Sequence, residues 1–177
     1  MTTGARAESV ASTRAVHPSA VREGAIAGAL GATVVAIWFL GVDVIAGHPL
    51  RTPELLGRAL ISVLGPSGGE GAFTYIAVYT VFHYLVFALI GVFAAIAIHW
   101  GEREPTVLAG FAILFVVAEI GFYGLVGVLS EPAVLGGIAW YQVLIGNLLS
   151  AAVMGGYLWR AHPRLAHDLD HALSGRE

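Results

Sequence analysis

Apolar residues gather in four long blocks along this chain, and the charged positions fall almost entirely between them. The blocks run over 24–47, 73–100, 106–129 and 133–159, each bounded by charge, proline or glycine. A helix rising about 1.5 Å per residue needs about 20 mostly apolar residues to cross the hydrocarbon core of a bilayer. All four blocks reach that length. The pattern predicts an all-α integral membrane protein, a four-helix up-and-down transmembrane bundle over 23–160. The first block is too long for a signal-peptide core and reads as a true span. Residues 1–22, rich in Ser, Thr, Ala and Arg, predict a disordered N-terminal segment, and 161–177 a short tail.

The longest connection, 48–72, has a pattern of its own. Thr52-Pro53-Glu54 reads as a helix start, with an N-cap, a proline at the first position and an acid in the first turn. Leu55, Leu56, Ala59, Leu60, Val63 and Leu64 follow at helical spacing, and Glu54 pairs with Arg58 at i,i+4. This predicts a short helix lying on the membrane surface. The run Gly65-Pro66-Ser67-Gly68-Gly69-Glu70-Gly71 then reads as a turn into the second span.

Composition narrows the class. With 57% hydrophobic and 12% charged residues in a chain of 177, there is too little charge to cover a water-soluble domain. The net charge of −3 points to neither nucleic acid nor a polybasic membrane-surface module. The absence of cysteine excludes disulfides, thiolate metal sites and a Cys nucleophile. Every basic residue except histidine is arginine, so Schiff-base chemistry and a phosphate-loop lysine are excluded too. Arg6, Arg14, Arg22, Arg103, Arg160, Arg164 and Arg176 flank one side of the predicted spans and only Arg51 and Arg58 the other. The positive-inside bias therefore predicts both termini in the cytoplasm of a multi-pass plasma (inner) membrane protein. Trp100, Tyr157 and Trp159 fall at the inner interface, and Tyr75, Trp140 and Tyr141 at the outer one.

Small residues mark where spans can approach closely, since helices in lipid associate through backbone contact rather than a hydrophobic drive. In the first span Ala25, Ala29, Ala32, Ala36 and Asp43 share one narrow face, flanked by the pair Gly24 and Gly28. Gly121, Gly124 and Gly127 recur in the third span, and Gly146, Ser150 and Gly155-Gly156 in the fourth. These stripes predict tight packing, with one small-residue face left for a partner.

The candidate chemistry lies in five residues that hydrocarbon would otherwise exclude: Asp43, His83, Glu119, Gln142 and Asn147. His83 and Glu119 each fall about 15 Å below the outer ends of their spans, with Gln142 near the same depth, Asn147 about 7 Å deeper and Asp43 shallower. Tyr79 and Tyr123 lie one turn from His83 and Glu119, offering each a hydroxyl. We expect Glu119 to hold His83, because a buried carboxylate without a partner would take up a proton. Such a pair serves either as a polar clasp that specifies helix order, or as a proton-carrying or ligand-binding site open to the outside.

Other motifs are weaker. A membrane b-type haem usually needs two histidines facing one another, and none matches His83 in depth; His99 could serve only a separate site near the inner surface, together with His162. Gly65-Pro66-Ser67-Gly68-Gly69 fits a hydrolase elbow in spelling but lacks its strand and helix. His167 and His171, with Asp168 and Asp170 between them, read as a solvated tail with weak metal affinity. No nucleophile, metal cage or cofactor fingerprint stands out, so an enzyme ranks below two other readings. The first is a non-enzymatic accessory or assembly subunit of a larger membrane complex, with lipid and membrane-protein partners or further copies of itself and no predicted cofactor. The second is a small transporter or proton-coupled ligand binder centred on His83 and Glu119, with a haem- or quinone-associated protein behind it.

Overall fold

In a computed structural model of the protein, residues 18–64, 69, 71–101 and 140–162 are described. They form four helices: α1 (Pro18–Ile45), α2 (Arg51–Leu64), α3 (Ala72–Gly101) and α4 (Trp140–Ala161). Helices α1, α3 and α4 are long and apolar enough to cross a membrane. Helix α2, with 14 residues, is too short to do so. The expected third span at 106–129, and with it Glu119, Gly121, Tyr123, Gly124 and Gly127, lies outside the described residues, as does the start of the fourth at 133–139.

Helix α1 starts earlier than the sequence predicted. Residues 18–22, expected in the disordered N-terminal segment, are helical, because proline suits a first helical position and Ser-Ala-Val-Arg carries nothing that would break the turn. Only 28, 22 and 22% of the most apolar windows of α1, α3 and α4 are buried within the protein. Large side chains such as Ile37, Val81, Phe93 and Leu148 point outward at 60 to 71% exposure. Water disfavours such a surface and acyl chains suit it, which suggests a membrane-embedded protein.

Paired positions give the helix directions. Gly24 meets Gly91 and Val92, Gly28 meets Phe87 and Ala88, and Ala32 meets His83, so α3 runs antiparallel to α1. Glu23 meets His162, Gly31 meets Ser150 and Met154, and Trp38 meets Gln142, so α4 is antiparallel to α1 as well. Helices α3 and α4 are therefore parallel to each other. The core of Ala20, Ala27, Ala95, Met154 and Leu158 lies between the three, toward the end that holds the start of α1.

Alanine and glycine permit this closeness. A Cβ at Gly24, Gly28 or Gly91 would overlap backbone atoms of the facing helix, and one at Gly31 would fall 2.5 Å from Met154 Sδ. Gly146 sits against the Trp38 ring, where an added Cβ would be 3.1 Å from Cδ1. Two members of the expected α1 stripe do not share this role, since Ala29 and Ala36 are exposed. At 100° per residue they fall roughly 110–130° from the centre of the arc formed by Gly24, Ala27, Gly28, Gly31, Ala32 and Val35. Gly31 and Gly91 replace them at the crossings.

Asp43 organises the corner between α1 and α2. Gly47, at φ 78°, is the left-handed residue that closes α1. His48 N–H reaches the Asp43 carbonyl at 2.9 Å and Gly47 N–H the Val44 carbonyl at 3.0 Å, the double bond pattern of a glycine-terminated helix. The Asp43 carboxylate, buried at 4% exposure, accepts from Thr52 N–H at 2.7 Å and Thr52 Oγ1–H at 2.8 Å. Thr52 was expected to cap α2 with its own hydroxyl, but here that hydroxyl donates to Asp43, and the carboxylate takes over the orphan amide because an anion also complements the helix dipole. Glu54 and Arg58 pair at 3.0 Å as expected. The Arg58 guanidinium lies 5.1 Å from the centre of the Tyr75 ring on α3, and Gly57 lets the α2 backbone rest on Tyr75.

Candidate functional site

His83 lies midway along α3 on the face turned to α1, buried at 8% exposure. Its Nε2 is 3.0 Å from the Ala32 carbonyl oxygen. A carbonyl only accepts, so Nε2 carries the proton and donates. The ring packs against Tyr79 at 5.5 Å between centroids, Phe87 at 4.7 Å and the edge of Tyr84 at 5.9 Å. At the next residue of each helix Tyr84 OH and Thr33 Oγ1 are 2.9 Å apart, a second polar link between the same helices. Within hydrocarbon each link is worth about 0.6–2 kcal/mol. The partner expected for His83, Glu119, and its neighbour Tyr123 lie outside the described residues. Within them, the imidazole is engaged by the backbone of α1.

The other expected polar residues are placed apart. Asp43 serves the α1–α2 corner rather than the level of His83. Gln142 and Asn147 are half-buried on α4, and the Gln142 carbonyl accepts from Trp38 Nε1–H at 2.8 Å. Ser150 is buried and donates to Met154 Sδ at 3.4 Å.

A second polar group closes the opposite end of the core. His162, just beyond α4, places Nε2 3.1 Å from Glu23 Oε2 near the start of α1. His99, in the last turn of α3, meets the His162 ring edge-on at 4.7 Å between centroids. Its Nδ1 donates to the Ala95 carbonyl at 2.9 Å, which leaves the lone pair of the neutral ring on Nε2. One ligand atom from each of Glu23, His99 and His162 lies within 4.8 Å of the others. His162 is buried and the other two are half-buried. The sequence suggested His99 with His162 but missed Glu23, which reads as an ordinary boundary charge beside Arg22. The depth count that levelled His83 with Glu119 also brings Glu23, His99 and His162 together, because α1 leaves this end while α3 and α4 arrive at it.

Comparison with protein families, characterised proteins and solved structures found no match to this chain, so its function is argued from its own residues.

Proposed function

We propose that the protein is a non-enzymatic accessory or assembly subunit of a larger membrane complex, built as a four-span bundle with both termini cytoplasmic. The observation that carries this reading is the engagement of His83 with the Ala32 carbonyl: an ionisable group in mid-span is used to hold two helices in register. Thr33 with Tyr84 and Trp38 with the Gln142 carbonyl work in the same way. The parallel course of α3 and α4 supports a further crossing between them. Residues 102–139 join the end of the bundle where α3 finishes to the opposite end where α4 begins, and the apolar block of sequence at 106–129 is long enough for that return. The arginine bias supports the assigned orientation.

A groove on the bundle surface supports a partner. Leu30 of α1 and Ala152, Val153, Gly156, Tyr157 and Trp159 of α4 line an open depression of about 490 Å³, with Arg160 at its end. Small and apolar residues in such a groove suit the side chains of a lipid-embedded helix. Purification of the full chain in mild detergent, followed by native mass spectrometry, is expected to retain a stoichiometric membrane-protein partner. A lone monomer would count against the reading.

A stability measurement tests the clasp. His83→Leu removes one hydrogen bond but leaves the Ala32 carbonyl its helical partner, so it is expected to cost about 1 kcal/mol in detergent unfolding and to keep the partner. A transporter built on His83 and Glu119 predicts otherwise: Glu119→Leu would preserve folding and association while abolishing uptake.

A further inference from the structure

We infer that Glu23, His99 and His162 form a binding site for a divalent transition-metal ion, zinc above all, that ties together the ends of α1, α3 and α4. Two imidazoles and a carboxylate form a ligand set suited to zinc and its first-row neighbours, whereas magnesium and calcium favour all-oxygen sites. The three ligands come from the ends of three helices, His162 just past the last residue of α4, and from positions far apart in the chain, so their meeting is a product of the fold. His99 is already oriented as a metal ligand usually is: its Nδ1–H is held by the Ala95 carbonyl at 2.9 Å and Nε2 carries the lone pair.

The distances suit the ion. Zinc bonds of about 2.0–2.1 Å place tetrahedral ligand atoms about 3.3–3.4 Å apart. His162 Nε2 and Glu23 Oε2 are already 3.1 Å apart, and all three ligand atoms lie within 4.8 Å of one another. Reaching tetrahedral spacing therefore needs no gap to close by more than about 1.5 Å, within reach of small side-chain rotations. On loading, the His162 ring carries its proton on Nδ1 and offers Nε2 to the metal in place of its contact with Glu23. The carboxylate offsets one of the two charges, and water completes the fourth position.

Rigidity strengthens the site. Ala20 and Ala95, three and four residues from Glu23 and His99, and Leu158, four residues before His162, all belong to the buried core. The ligands are thus mounted within one turn or so of buried core residues, which lowers the ordering cost of binding.

The test uses the untagged full chain in mild detergent, stripped with a chelator, in a His167→Ala/His171→Ala background that removes the tail histidines. Zinc titration against a chromophoric chelator is expected to show one tight equivalent, and cobalt(II) the visible absorption of a tetrahedral site. Glu23→Gln keeps the size and hydrogen bond of the side chain, so the bundle should fold, while zinc affinity falls at least about tenfold. His99→Asn should do the same. Zinc should raise the thermal midpoint of the parent and leave that of Glu23→Gln unmoved. Loss of binding with the tail histidines, or equal affinity in the parent and Glu23→Gln, would overturn the assignment.

Discussion

Gly28→Ala is expected to lower the unfolding free energy of the bundle by about 3 kcal/mol or more, read as a fall in thermal or SDS-denaturation midpoint. Overpacking usually costs about 1–3 kcal/mol when a flexible neighbour can move aside. At Gly28 the added methyl meets the Phe87 carbonyl and the Ala88 backbone. A backbone held in its own helix cannot rotate away, so the whole crossing must open. With it would go the His83–Ala32 contact one turn further along, whose 3.0 Å length depends on the same separation. The contrast lies on α4, where a Cβ at Gly155 or Gly156 meets nothing within 4 Å. Gly155→Ala should be neutral or should stabilise by up to about 1 kcal/mol through helix propensity. If Gly28→Ala unfolds at the same midpoint as the parent, α1 and α3 do not cross at this glycine.

Asp43→Ala should cost about 2–4 kcal/mol and loosen α2 in particular. The carboxylate accepts from Thr52 at 2.7 and 2.8 Å, and both bonds are charge-assisted. Truncation leaves the Thr52 amide and hydroxyl, buried at 5% exposure, with no acceptor from residue 43, and an unsatisfied buried donor costs about 1–3 kcal/mol. Hydrogen exchange should accelerate across 51–64 while α1 and α3 stay protected, because the carbonyl bonds that close α1 do not need the side chain. Asp43→Asn retains one acceptor and should lose about half as much. Uniform acceleration across all helices would instead place Asp43 in the central packing.

These two residues show where sequence reasoning works and where it stops. Gly24 and Gly28 stood out because four-residue spacing places both on one face, and that face does meet α3. Ala29 and Ala36 belonged to a neighbouring stripe, and composition could not distinguish the two. The choice followed from which facing helix offered a gap, and the gap at Gly91 lies 63 residues beyond Gly28 in the chain. Asp43 was visible as an acid that hydrocarbon excludes, yet its use as a cap depends on the tight turn at Gly47 bringing Thr52 back to it.

The sequence alone determined the class of molecule: helices that are apolar on nearly every face, which satisfy their backbone internally and leave lipid as the natural solvent. It also marked the short helix α2 through its first-turn acid Glu54 and the Glu54–Arg58 pair, both local in the chain. Tertiary structure decided the partners. His83 meets the backbone of α1, Asp43 meets Thr52, and Glu23, His99 and His162 converge at one end of the core. Periodicity encodes which face a residue occupies and how deep it lies, but contact between two helices depends on their relative rotation and separation, which are set by packing summed over the whole crossing.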